Sequence, residues 1–125
     1  MARRRGTRGD DLLVGTGGRD HIDGRDGDDT IIGGAGDDTL NGGSGDDRID
    51  GGSGDDTIND FTAGAGTNDQ MDVSAFGFID LADLLASADD GNGSNPDTVI
   101  QLDADDSVTL IGVQKADLHG GDFIF

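Results

Sequence analysis

From residue 6 to residue 59 one phrase of nine residues recurs six times without slipping, and that periodicity restricts the fold more than any other feature. The blocks open at Gly6, Gly15, Gly24, Gly33, Gly42 and Gly51. Position four is again glycine throughout: Gly9, Gly18, Gly27, Gly36, Gly45 and Gly54. Position six is always aspartate (Asp11, Asp20, Asp29, Asp38, Asp47, Asp56), and position eight is always Leu or Ile (Leu13, Ile22, Ile31, Leu40, Ile49, Ile58). The pattern is G-x-x-G-x-D-x-U-x with U apolar, and blocks four to six carry the fuller G-G-x-G-x-D-x-U-x through Gly34, Gly43 and Gly52. Nine residues are too few for a helical repeat and too regular for a linker.

Glycines at positions one and four permit turn conformations closed to other residues and let backbone carbonyls approach a ligand. Positions seven to nine, such as Thr39, Leu40 and Asn41, predict a three-residue strand with one inward apolar side chain. A turn and a short strand, repeated, wind a coil with two nonapeptides per full turn. Strands then stack in parallel and loops stack along two edges, which predicts an all-β parallel solenoid.

Such stacking crowds negative charge. Residues 6–59 hold fourteen Asp against four Arg, and the 125-residue chain carries a net charge of −19 with 27 Asp and no Glu. Solvated acidity would use both acids; a short carboxylate beside glycine points to turns and ligation. Nucleic acid and anionic membrane surfaces are excluded as partners by that charge. With no Cys there are neither disulfides nor thiolate zinc sites. Six inward Leu/Ile side chains are a thin core for so glycine-rich a chain, so a cation is expected as part of the fold. Many hard oxygen donors, carbonyls among them, favour Ca²⁺ over Mg²⁺.

The repeat resembles the hemolysin-type calcium-binding nonapeptide of the RTX (repeats-in-toxin) family, which implies a right-handed parallel β-roll. The resemblance implies that each Ca²⁺ lies between loops two blocks apart, held by both position-six aspartates. Carbonyls of positions two and four come from the first loop, and those of positions one and three from the next. One site would use Asp11 and Asp29 with the carbonyls of Thr7, Gly9, Gly24 and Asp26. A second would use Asp20 and Asp38 with Thr16, Gly18, Gly33 and Ala35. Asp29 and Asp47 would be joined by Arg25, Gly27, Gly42 and Ser44, and Asp38 and Asp56 by Gly34, Gly36, Gly51 and Ser53. Four to six ions are implied. Blocks one to three depart from the pattern with Thr7, Thr16 and Arg25 at position two, and block two has Arg19 at position five where the others have Asp.

After Asn59 the frame breaks. Residues 60–77 read as an irregular closing turn with a four-residue insertion, placing Asp69 at position six and Met71 at position eight; Asp69 would then partner Asp47, with carbonyls from Gly43 and Gly45. Residues 78–125 read as a cap: a short helix over 80–88 behind an Asp cap, a hairpin of 98–102 and 107–113, and a terminal apolar strand. Asp90, Asn92, Ser94 and Asp97 form a solvated turn or a further Ca²⁺ loop. Residues 97–125 resemble the C-terminus of type I secreted RTX proteins, which implies a secretion signal there, passage out of a Gram-negative cell by the type I machinery, and an extracellular location. Residues 1–5 are expected to be a disordered basic tail, and no cleavable signal peptide or apolar membrane span is expected.

Catalysis is not expected within this chain. His21 and His119 form no H-E-x-x-H motif, no serine lies in a nucleophile elbow, and carboxylates repeated six times describe a scaffold rather than a catalytic pair. The glycine loops lack the Lys-Ser/Thr of a phosphate cradle. The reading is a monomeric calcium-binding module that folds on Ca²⁺ after secretion. A stand-alone surface, adhesive or matrix protein, and the C-terminal module of a larger secreted hydrolase or polysaccharide-modifying enzyme, remain open beside it.

Overall fold

The computed structural model describes residues 1–62, 69–89 and 97–125. Two nonapeptides make one turn of a parallel β-solenoid. Strands β1 (Arg3–Arg5), β3 (His21–Asp26), β5 (Thr39–Ser44) and β7 (Asp55–Ile58) stack in one sheet, and β2 (Leu12–Val14), β4 (Thr30–Ala35), β6 (Arg48–Ser53) and β8 (Gln70–Asp72) in the other. Each residue of the regular coils lies over the one eighteen positions away: Ile22 over Leu40, Leu40 over Ile58, Ile31 over Ile49.

Position-eight side chains form two inward columns because strand residues alternate faces. Ile22, Leu40 and Ile58 are fully buried and are continued by Leu110; Ile31 and Ile49 are continued by Met71 and Phe123. The step from Ile49 to Met71 is twenty-two residues, so the four-residue insertion leaves the register intact. Ile49→Ala should destabilise the folded protein by about 2–5 kcal/mol in denaturant titration. Leu12→Ala, at a residue 68% exposed, should stay within about 0.5 kcal/mol.

Two expectations need correction. The principal strands run to six residues, taking in positions one to three of the following block, because position one is extended and buried and keeps the ladder going. Residues 1–5 are not a disordered tail: Arg3–Arg5 pair in parallel with His21–Asp23, and the Arg5 guanidinium lies 3.7 Å from the Asp23 carboxylate. They occupy positions seven to nine of the nine-residue frame, eighteen residues before His21–Asp23. His21, at position seven, is half-buried on the outer face of that sheet.

The cap extends both sheets. The hairpin of β10 (Thr98–Gln101) and β11 (Ser107–Leu110) lays β11 parallel on β7, and the terminal strand β12 (Phe123–Ile124) lies parallel on β8. Both C-terminal strand edges of the roll are therefore covered. Helix α1 (Leu81–Ala86) is capped by Asp80, whose carboxylate accepts the Asp83 N–H at 2.9 Å, and buries Leu84. A two-residue strand, β9 (Ala88–Asp89), adds to β10. Of the loop considered as an additional calcium site, Asp90, Asn92 and Ser94 lie outside the described residues; Asp97 accepts the Gly112 N–H at 2.7 Å.

Candidate metal centre

Each block turns through its glycines and then presents its position-six aspartate inward along the loop edge. Asp20, Asp29, Asp38, Asp47 and Asp56 are each 1% exposed and Asp69 is 2% exposed; Asp11, on the first coil, is half-buried. Carboxylates this deep need partners. In Asp20 Oδ1 accepts the Ala2 N–H at 2.6 Å, and in Asp29, Asp38, Asp47, Asp56 and Asp69 it accepts the backbone N–H of the position-six aspartate one coil earlier. The ladder runs Asp11 to Asp29 (2.8 Å), Asp20 to Asp38 (2.8 Å), Asp29 to Asp47 (2.9 Å), Asp38 to Asp56 (3.0 Å) and Asp47 to Asp69 (3.0 Å). Asp69 thus takes the position-six role across the insertion, and its Oδ2 accepts the Thr62 N–H at 2.8 Å.

The other oxygen separates the loops into two kinds. Oδ2 of Asp29, Asp38, Asp47 and Asp56 is buried and has no hydrogen-bond donor among the described residues. Oδ2 of Asp11 and Asp20 has two each: the backbone N–H and the hydroxyl of Thr7 or Thr16, the hydroxyl contacts being 3.0 and 2.9 Å.

Backbone conformation follows the same division. At position two, Arg25, Gly34, Gly43 and Gly52 have φ of 87, 113, 105 and 94°; at position four, Gly27, Gly36, Gly45 and Gly54 have φ of 109, 101, 120 and 115°. Arg25 is the one non-glycine in this left-handed region among the described residues. Thr7, Gly9, Thr16 and Gly18 do not adopt it.

Position-one glycines close the cradle. A methyl group on Gly24 would overlap Asp29 Oδ2 and the Gly42 carbonyl oxygen, and one on Gly33 would overlap Asp38 Oδ2 and the Gly51 carbonyl oxygen. The carboxylate oxygen of one loop and the position-one carbonyl of the next coil therefore converge on one small volume. Other implied carbonyls already serve the ladder: Ser44 and Ser53 accept the N–H groups of Gly27 and Gly36 at 2.9 and 2.8 Å, and Thr16 accepts Ala35 at 3.2 Å. Each keeps a second lone pair. Hard oxygens, carboxylate and carbonyl together, with buried anionic atoms lacking donors, are a donor set for Ca²⁺.

The electrostatics agree. Burial pushes the Asp56 carboxyl up to about 7, against the Asp38 N–H hydrogen bond and helped by the charges of Asp38 and Asp106. Burial likewise lifts Asp47 to about 6, with the charges of Asp69 and Asp29 adding to it. Asp29, Asp38 and Asp69 are raised for the same leading reason. Asp20 moves the other way, held below the usual carboxylate range by the Thr16 N–H. A buried carboxylate that resists ionisation lacks positive charge nearby.

Sequence reasoning missed four contributors. The threonine hydroxyls are one. Another is Asp60, whose two oxygens accept the Gly42 and Gly43 N–H groups at 2.9 and 2.7 Å. A third is Asp106 in the cap hairpin, which accepts the Gly54 N–H at 2.7 Å. Last come the position-five aspartates, which take N–H groups along the outer edges, Asp28 to Asp10 and Asp46 to Asp28 at 2.9 Å each. Aspartate at position five of five blocks was the available signal for these. Arg19, the exception, bridges to Asp37 at 2.9 Å.

Comparison with known proteins bears on the same residues. The RTX calcium-binding nonapeptide repeat, in four copies, matches residues 5–40 and 24–58. Among solved structures, the chain is similar to the AlgE6R3 subunit of the Azotobacter vinelandii mannuronan C5-epimerase, at 31% identity over 96% of this chain and 80% of that one, with a TM-score of 0.41. No curated protein sequence matches.

Proposed function

Because this chain belongs to the RTX calcium-binding nonapeptide repeat family, we propose that its β-roll is a folding switch, assembled when Ca²⁺ meets the aspartate ladder. Four buried Oδ2 atoms without a hydrogen-bond donor among the described residues carry this reading. A roll holding them ionised and unmatched is strongly disfavoured, and Asp47 and Asp56 already resist ionisation in it. Bound Ca²⁺ would supply the positive charge that those oxygens and the position-one carbonyls lack. Asp29 with Asp47, Asp38 with Asp56, and Asp47 with Asp69 would hold it, Asp47 serving both of its neighbours.

In a low-calcium cytosol the same carboxylates repel one another and keep the chain extended, a form suited to export. Outside, at the roughly 10⁻⁴–10⁻³ M affinities of extracellular calcium modules, the roll forms. The cap supports this role by covering both C-terminal strand edges, so that coils add to a finished end. We assign the secretion information to residues 97–125 and the working location to the cell exterior. No helix among the described residues is long and apolar enough to cross a membrane. The module acts by folding rather than by catalysis.

Far-UV circular dichroism from excess chelator to about 10 mM Ca²⁺ should show a cooperative gain of β signal that the same range of Mg²⁺ does not reproduce. A spectrum already β-rich in chelator and unchanged by Ca²⁺ would end this reading.

A further inference from the structure

Blocks one and two keep the glycine frame and the position-six aspartate, yet they differ from later blocks in the atom that matters most. In block one, Thr7 donates its backbone N–H and its hydroxyl to Asp11 Oδ2, and its hydroxyl oxygen receives the Gly9 N–H at 3.2 Å. Block two repeats the arrangement with Thr16, Asp20 and the Gly18 N–H at 3.3 Å. Two donors occupy the two lone pairs of that oxygen. In blocks three to six the equivalent oxygen has none among the described residues. A threonine hydroxyl can both donate to the carboxylate and accept from the position-four amide, whereas glycine and arginine at position two cannot.

We infer that Thr7 and Thr16 stand in for the cation. The loops of blocks one and two are closed by hydrogen bonds, and Ca²⁺ is confined to the loop pairs that begin at block three. This rests on the calcium reading above, and it replaces two of the ions that the repeat count alone implies. It also gives the roll a polarity. The first coil keeps its loop geometry without metal, while the middle of the roll, where Asp29, Asp38 and Asp47 follow one another, depends on it.

The test is a count of bound ions per chain by isothermal titration with Ca²⁺, checked by native mass spectrometry. The double variant T7G/T16G, which restores glycine at position two, should bind about two more ions than the parent. T7S/T16S, which keeps the hydroxyl, should bind the parental number. D11N/D20N provides a reading that does not depend on T7G/T16G folding: it should leave the count unchanged, whereas D29N should lower it. An unchanged count in T7G/T16G, or a lower one in D11N/D20N, would overturn the inference. A parent chain that binds no Ca²⁺ would instead overturn the calcium reading on which it rests.

Discussion

Gly33→Ala should abolish the calcium-dependent gain of β structure, while Gly18→Ala should leave it close to the parent. Gly33 opens block four, and its added methyl would lie 2.5 Å from Asp38 Oδ2 and closer still to the Gly51 carbonyl oxygen. Neither neighbour can give way. The carbonyl belongs to the backbone of the next coil, in register through Gly34 and Gly52, and the carboxylate is one of the buried donorless four. Relief means separating two coils or expelling Asp38, and either dismantles a loop pair, so the expected loss exceeds about 4 kcal/mol. Gly18 has nothing within 4 Å of the equivalent atom and no left-handed backbone. There alanine restricts the unfolded chain and is neutral or stabilising by up to about 1 kcal/mol. Gly36 shares its repeat position with Gly18, yet has φ of 101° and would meet the Arg19 backbone nitrogen at 2.8 Å, so Gly36→Ala should fall between the two. Calcium midpoints by circular dichroism and urea titrations at saturating Ca²⁺ give the order. A Gly33→Ala chain with the parental midpoint would show that the cradle is looser than its geometry.

That contrast marks what nine letters can and cannot convey. Frame, inward columns and the aspartate ladder were legible because each is a local consequence of spacing: position eight alternates inward, and eighteen residues return to the same column. Asp69 and Met71 were legible too, since an insertion in a loop leaves the strand register alone. What escaped depends on contacts without a period. Arg3–Arg5 carry Arg4 where the column expects Leu or Ile, so nothing in those residues announces a strand; a partner at His21–Asp23 makes one. The hairpin was visible, but its seat on the roll was not, because the Leu110 to Ile58 pairing spans fifty-two residues and no repeat sets it. Threonine for glycine at position two reads as erosion of a motif, and becomes a substitution with its own chemistry only once the hydroxyl is seen against the carboxylate.

Acid should push the calcium-free and calcium-loaded chains in opposite directions. Without Ca²⁺ the folded pKa values of Asp47 and Asp56, about 6 and about 7, lie above the ordinary 3.8. The folded chain therefore binds protons more tightly than the unfolded one. This contribution to stability is fully present below about pH 4 and is lost as pH rises through 6 to 7. Asp37 and Asp72, held below 3.8 by hydrogen bonds from Arg19 and from Ser74 and Arg48 although burial raises Asp72, have the reverse sign and lose their contribution as pH falls beneath that value. Calcium-free β signal should accordingly grow from pH 8 towards pH 5 and decline again in stronger acid. With Ca²⁺ present, protons compete for the same Oδ2 atoms, so the calcium midpoint should move to higher concentration over the same window. D47N/D56N separates the two effects by removing the buried charge and keeping the shape. In chelator it should show more β structure than the parent at pH 8 and little change towards pH 5. In calcium it should need at least about tenfold more ion, 1.4 kcal/mol, to fold. A variant that folds at the parental calcium concentration, or that gains nothing in chelator, would mean that these buried carboxylates are not what holds the calcium-free roll apart.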